Sequence, residues 1–163
     1  MITWNEFERQ QRALAGAGRT QFYQFGIGLG FLATVRPDGG PRVHPVCPVI
    51  SAAGLHLLVI SGPKQQDLRR DGRYALHSEI CPPPRQDDGF ALAGQAREVT
   101  DAVLRRTVRA RVLAERDGEV WPSFDDDVIF ELVIERALLT LTKPDGPFPA
   151  GPTIWKDGDE PGT

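Results

Sequence analysis

The sequence has 163 residues, of which 40% are hydrophobic and 25% are charged, and its formal net charge is −3. This composition is typical of a soluble globular protein with a single core. A net charge so close to zero gives no general attraction to nucleic acid or to an anionic membrane surface, so neither is expected as a partner.

The N-terminal residues lack the basic segment and apolar run of a signal peptide. The longest apolar runs, such as residues 55–60, are far too short to cross a bilayer. A cytoplasmic location is therefore expected. Because a reducing compartment disfavours disulfides, Cys47 and Cys81 are predicted to be free thiols.

The first predicted element is a short amphipathic helix that ends near residue 15. Thr3 and Glu6 match a capping box, in which each side chain satisfies a backbone N–H of the other residue. Trp4 and Phe7 begin a helical repeat of apolar residues. The glycine-containing stretch that starts at Gly16 is expected to end this helix.

Turn signals and alternating apolar residues predict six strands after this helix. Residues 37–40 and 51–54 form tight turns, so the first three strands are expected to make an antiparallel meander. Two further helices, over residues 65–70 and 102–115, precede the fourth and sixth strands. The predicted strands span residues 27–35, 41–50, 55–61, 74–79, 90–99 and 128–142.

Such short connections favour a small antiparallel barrel over a doubly wound parallel sheet. The predicted fold class is therefore mostly β with peripheral α-helices. One domain is predicted over residues 1–145. Residues 146–163, rich in Pro, Gly and Asp, are predicted to form an extended tail, in which Trp155 is the exception because a buried position suits an indole.

Two patterns resemble known sites without meeting their physical requirements. A dinucleotide-binding loop lies between a strand and a helix, whereas a predicted strand follows Gly26, Gly28 and Gly30. These glycines are interpreted as relieving crowding in a barrel strand. His44 and Cys47 lie three residues apart in a predicted strand and so point to opposite faces, and no metal site is predicted.

The predicted helix 102–115 is rich in arginine, which is one way to bind RNA. No aromatic stacking platform accompanies these arginines, and acidic residues follow them closely. A solvated or subunit-pairing face is therefore predicted. The sequence contains no evident Ser/His/Asp arrangement, and no catalytic residue is assigned.

The turn after the third predicted strand carries residues that suit a phosphate group. Ser61, Lys64 and Gln65 supply a hydroxyl, an ammonium group and an amide at the start of a short helix. The alternative is that Lys64 is an ordinary surface lysine.

The second predicted strand has an irregular composition. Arg42 and His44 point to the same face because they are two residues apart. Pro45 and Pro48 each remove a backbone donor, which indicates that this strand is not paired on both sides. The free backbone groups next to it are then available to a ligand, unless the strand is simply an irregular sheet edge.

The residues around these positions resemble flavin-binding split β-barrel proteins of the pyridoxamine 5'-phosphate oxidase family. The resemblance covers about residues 28–100 well, and the last helix and strand follow in the same order. It rests on an Ala-Thr-x-Arg-x-Asp-Gly-x-Pro hairpin at 33–41, a Ser and Lys turn at 61–64, and a Leu-x-x-Asp-x-Arg-x-Ala-Leu segment at 68–76. It implies a six-stranded antiparallel split barrel that forms a homodimer.

The resemblance further implies two cofactors at the dimer interface. The implied cofactor-binding residues are Arg42, Val43, His44 and Pro45 beside the isoalloxazine ring and Ser61, Lys64 and Gln65 near the phosphate or ribityl chain. Gly62 and Pro63 stand where the oxidase itself has further polar phosphate contacts. The oxidase's C-terminal substrate motif is also missing, so a biosynthetic pyridoxamine phosphate oxidase is not expected.

Three functions follow from this resemblance. The first is an FMN-dependent oxidoreductase acting on a small molecule, in which the cofactor does the electron chemistry. The second is a reductase that uses the deazaflavin coenzyme F420. The chain has 16 arginines and three lysines, a balance associated with GC-rich genomes, in which such members are common. The third is a non-catalytic protein that binds flavin or haem.

Overall fold

The computed structural model describes residues 1–85, 87–143, 145–147 and 150–159, and within them the chain forms four helices and eight strands. The helices are α1 (Trp4–Gln10), α2 (Arg12–Phe22), α3 (Pro63–Arg70) and α4 (Ala102–Glu115). The strands are β1 (Gly30–Val35), β2 (Pro41–Val46), β3 (Val49–Ser51), β4 (Gly54–Val59), β5 (Arg73–Ser78), β6 (Gly89–Glu98), β7 (Val128–Thr140) and β8 (Thr153–Lys156).

Seven strands form a continuous antiparallel sheet in the order β2-β1-β5-β6-β7-β4-β3, and β8 pairs with β7. The predicted class, mostly β with peripheral helices, is confirmed. None of the helices in the described residues combines the length and the apolar character needed to span a membrane.

The two ends of this sheet, β2 and β3, are consecutive in the chain and are joined by only Cys47 and Pro48. Two linking residues allow the Cα atoms of Val46 and Val49 to be no more than about 11 Å apart. The sheet must therefore curl until its two edges approach each other. The single strand predicted over residues 41–50 is wrong in this respect, because the chain leaves one edge at Val46 and enters the other at Val49.

The N-terminal helix also differs from the prediction. It breaks at Gln11 into α1 and α2, and α2 continues to Phe22 instead of ending at Gly16. Gly18 lies inside α2 against the ring of Phe90, where an added Cβ would lie 2.4 Å from a ring carbon. This glycine therefore serves close packing of the helix on the sheet rather than helix termination.

The main core combines buried residues of the sheet with buried residues of the two N-terminal helices. Its aromatic part includes Trp4, Phe7 and Trp155, and the rings of Phe7 and Trp155 are 4.9 Å apart. Trp155 is brought there by β8, for which the sequence analysis predicted no strand. Residues 148–149 and 160–163 of the predicted tail lie outside the described residues.

Gly28 and Gly30 precede or begin strand β1, with no helix after them, so the structure lacks the arrangement of a dinucleotide loop. An added Cβ at Gly28 would lie 1.8 Å from the carbonyl oxygen of Pro48. Gly28 thus allows the backbone to pass next to the residues that join β2 to β3.

A buried carboxylate fixes α3 to the edge of the sheet. Asp67 on α3 is only 2% exposed. Its Oδ2 accepts hydrogen bonds from Thr34 on β1 (3.0 Å) and Arg42 on β2 (2.8 Å), and its Oδ1 accepts one from Arg70 (3.1 Å). Burial alone raises the pKa of Asp67, but these donors outweigh burial and hold the pKa below its ordinary value.

Replacing Gly28 by alanine is expected to lower the free energy of unfolding by at least about 2 kcal/mol, because a backbone carbonyl cannot move away from the new methyl group. Gly16→Ala is the matched control. Gly16 lies in α2, and no atom is within 4 Å of a Cβ added there. The alanine should therefore raise the free energy of unfolding by about 0.5–1 kcal/mol. Urea denaturation measures both, and equal stabilities for the two variants would contradict the role given to Gly28.

Replacing Asp67 by asparagine is expected to cost about 3 kcal/mol of stability at neutral pH, because Arg42 loses its charged partner and the amide cannot accept all three hydrogen bonds. The control is Asp38→Asn. The Asp38 carboxylate is exposed and lies 3.4 Å from Arg36, so this substitution should change the free energy of unfolding by less than about 0.5 kcal/mol.

The Asp67 contribution also depends on pH. Since the folded-state pKa is lowered, the contribution is complete above the unfolded-state pKa of about 3.9 and is lost as the pH falls through the folded-state pKa. The stability difference between the wild type and Asp67→Asn should therefore narrow in strong acid. A difference that stays constant would show that the carboxylate charge is not responsible.

Candidate functional site

A cavity of about 200 Å³ lies beside the residues that join β2 to β3. Its lining includes residues from the end of β2, the ends of β3 and β4, the first turn of α3 and the last turn of α4. Its wall is mainly apolar with a few charged groups. The lining residues are Ile27, Pro45, Val46, Cys47, Val49, Leu58, Ile60, Lys64, Val112, Glu115, Arg116 and Trp121.

Lys64 places an ammonium group in this cavity. Gly62 precedes α3 with φ of 155°, a conformation that favours glycine, and Pro63 occupies the first helical position. The half-buried Lys64 side chain makes no hydrogen bond or ion pair with any residue that the structure describes. Burial lowers the pKa of Lys64, and the nearby Cys47 and Asp127 partly offset that effect. The site therefore contains a cation on which Cys47 and Asp127 act electrostatically, although neither forms a hydrogen bond or ion pair with it.

The cavity brings together two of the seven predicted cofactor-binding residues, Pro45 and Lys64. Ser61 lies on the exposed turn just before α3 and does not line the cavity. His44 is half-buried on the same face of β2 as Arg42, and Val43 is 61% exposed on the opposite face.

Two of the predicted side chains already have partners within the protein. The guanidinium of Arg42 is bound to Asp67. The amide of Gln65 is buried, where its Nε2 donates to the carbonyl of Val59 (3.1 Å) and its Oε1 accepts from Arg69 (3.1 Å). Both side chains hold α3 against the sheet, which positions Lys64 at the cavity.

The outward-facing side of β2 continues across the neighbouring strands as an exposed, largely apolar surface. Phe31 lies opposite Pro45, and Ala33 lies opposite both Val43 and Ala75. We call these five residues the outer face. Phe31 and Val43 are 37% and 61% exposed, so the outer face presents apolar area to solvent in the single chain.

The end of α4 contributes residues that the sequence analysis did not assign to a site. Glu115 is almost fully buried and accepts hydrogen bonds from the Tyr23 hydroxyl (2.9 Å) and from Arg111 (2.8 Å). Burial raises the pKa of Tyr23 to about 12, so its hydroxyl remains a donor at neutral pH. Trp121 and Phe124, two aromatic residues in a largely polar stretch, are the sequence signal that could have indicated this wall.

Trp121 and Arg116 form a stack at the cavity wall. The Trp121 Nε1 donates to Asp127 Oδ2 at 2.6 Å, and its ring meets Phe124 edge-on at 5.2 Å. The guanidinium of Arg116 lies 5.2 Å from the Trp121 ring centroid. Among the described residues no group of three or more His, Cys, Asp or Glu side chains is arranged to hold a metal ion.

No family model matches this sequence, and no curated protein matches it. Solved structures do match the fold. The conserved hypothetical protein Rv2991 from Mycobacterium tuberculosis aligns with a TM-score of 0.61 at 23% identity, over 78% of this chain and 87% of that chain. A putative pyridoxamine 5'-phosphate oxidase from Listeria innocua aligns with a TM-score of 0.56 at 19% identity, over 73% and 91% of the two chains.

Two further matches carry different ligand names. The haem storage protein HutZ from Vibrio cholerae aligns with a TM-score of 0.56 at 19% identity, over 83% of this chain and 92% of that chain. An F420 reductase aligns with a TM-score of 0.52 at 21% identity, over 68% and 88% of the two chains. At these identities the matches establish the fold alone. The chain therefore has the split β-barrel fold found in pyridoxamine 5'-phosphate oxidase-like proteins, as the sequence resemblance implied.

Proposed function

We propose that this protein is a flavin-dependent oxidoreductase that binds FMN at a homodimer interface and acts on a small molecule. The observation that carries the proposal is the unpaired Lys64 ammonium in the cavity between the two sheet edges. A half-buried cation without a partner is a favourable place for a phosphate group, because the anion replaces hydration that burial has removed.

In this proposal Lys64 and Ser61 bind the cofactor phosphate at the start of α3. The isoalloxazine ring lies along residues 42–45 of β2. This placement is supported by the position of β2 at the end of the sheet, where β1 is its one neighbouring strand in the described chain. The backbone groups on its other side are free to bind the ring. Arg42, His44 and Gln65 then act through the backbone or by fixing α3.

The bound cofactor would supply hydride transfer, and the protein would supply binding and orientation. Lys64 neutralises the phosphate charge at the cavity mouth. The apolar side chains of Ile60 and Pro45 exclude water from the ring edge.

The size of the cavity supports the proposed dimer. A volume of about 200 Å³ is smaller than the roughly 300–1,000 Å³ of typical ligand pockets, so one chain encloses only part of a cofactor. The exposed outer face is a surface that a second copy can cover, and covering it stabilises by about 25 cal/mol per Å² of apolar area. The partner subunit would complete the site.

The F420 reductase with the same fold supports a deazaflavin coenzyme as the second candidate cofactor. HutZ supports a haem-binding function as the third. Haem iron needs an axial ligand, and Cys47 is the cavity-lining side chain of a type that commonly ligates it. Absorbance spectra after titration with FMN, F420 and haem distinguish the three, and a protein that binds none of them would contradict all three functions.

Lys64→Ala is expected to weaken FMN binding by about 1–3 kcal/mol, the range for loss of one charge-assisted hydrogen bond. Lys156→Ala, which removes an exposed lysine on β8, is the control and should leave the affinity unchanged. Quenching of FMN fluorescence measures both dissociation constants. Because the pKa of Lys64 is lowered, wild-type affinity should also fall at alkaline pH, and this fall should be absent in Lys64→Ala. Equal affinities for wild type and Lys64→Ala would remove Lys64 from the site.

Val43→Asp is expected to convert a dimer into a monomer and to weaken FMN binding at least about tenfold, because an aspartate would be desolvated in the proposed interface. Val103→Asp is the matched control, since Val103 on α4 is also 61% exposed. Light scattering after size-exclusion chromatography measures the mass. If Val43→Asp remains dimeric with wild-type FMN affinity, the outer face is not the interface.

A further inference from the structure

The charges around the cavity are unbalanced. Its charged lining residues are Lys64, Glu115 and Arg116. The Glu115 carboxylate already accepts hydrogen bonds from Tyr23 and Arg111. Arg116, like Lys64, makes no ion pair or side-chain hydrogen bond with any residue in the described part of the chain. The cavity therefore offers two cations and no unpaired carboxylate in its lining.

Arg116 is held in place by an aromatic ring rather than by an anion. Trp121 is fixed by its hydrogen bond to Asp127, which is 1% exposed, and by its contact with Phe124. The guanidinium lies over the Trp121 ring, and none of its N–H groups donates to a residue in the described part of the chain. Asp127 Oδ1 is buried and has no hydrogen-bond partner among the described residues, and Asp127 is not among the residues that line the cavity.

The remaining wall sets the shape and polarity of what can lie beside Arg116. Val49, Leu58 and Val112 line this part of the cavity with aliphatic groups. A volume of about 200 Å³ is enough for a single ring but not for a whole cofactor. A planar guanidinium matches the two oxygens of a carboxylate.

We propose that Arg116, held on Trp121, binds the carboxylate of the substrate, and that the substrate is a small aromatic carboxylate whose ring lies in the apolar cavity. This inference rests on the proposed function, because it leaves Lys64 to the cofactor phosphate and makes Arg116 a separate anion-binding group. It adds a substrate class and a specificity-determining residue to that function.

The test uses benzoate as the probe and benzamide as its uncharged analogue, titrated into cofactor-free and FMN-loaded protein by isothermal calorimetry. Benzoate should bind the wild type at least about tenfold more tightly than benzamide. Arg116→Gln should weaken benzoate binding about 10- to 100-fold and leave benzamide binding unchanged. Arg116→Lys should recover part of the affinity. Arg106→Gln, on the exposed side of the same helix, is the control and should bind benzoate like the wild type.

Several results would overturn the inference: no benzoate binding, equal binding of benzoate and benzamide, or an unchanged affinity in Arg116→Gln. FMN affinity separates the two proposals. If Arg116→Gln weakens FMN as much as benzoate, Arg116 belongs to the cofactor site and the inference is wrong. If the wild type does not bind FMN but the benzoate results hold in the cofactor-free protein, the cofactor assignment fails and the Arg116 anion site stands.

Discussion

The structure depends on the two residues, Cys47 and Pro48, that join opposite ends of the sheet. A link this short brings the edges β2 and β3 close together, and the two strands do not pair with each other. The unpaired gap between them is where the cavity forms. Gly28 passes within contact distance of the same link, so this part of the fold leaves no room for an added methyl group. The link that joins the two sheet edges therefore also forms part of the site.

Helix α3 contributes a charged side chain, Lys64, to the cavity in that gap. Asp67 binds it to β1 and β2, and Gln65 binds it to the end of β4. Once these internal polar groups are satisfied, Lys64 is the cation of this helix that is left facing the cavity. The buried carboxylate therefore influences the proposed ligand site indirectly, through the orientation of the helix.

Local signals predicted most strands correctly, because tight turns and alternating apolar residues depend on neighbours in the sequence. The errors came from non-local contacts. Strand β2 ends at Val46 because the sheet closes there, and α2 continues past Gly18 because this glycine packs against Phe90. The resemblance implies Arg42 as a cofactor contact through its place in the second strand, but its side chain binds Asp67, which is 25 residues away in the chain. The contact between Arg116 and Trp121 is local, but its position at the cavity depends on residues 27–64 and therefore cannot be read from neighbouring sequence.

The cavity lining has a further consequence for how such a protein can change over evolutionary time. Its charged and aromatic residues lie on helix ends and connecting segments, whereas the hydrogen bonds that hold the sheet together belong to the strand backbones. If the proposed function holds, substitutions at Arg116 or Trp121 would alter ligand preference without disturbing a strand ladder. This separation is consistent with the pyridoxamine 5'-phosphate oxidase, F420 reductase and haem storage names among solved structures of the same fold.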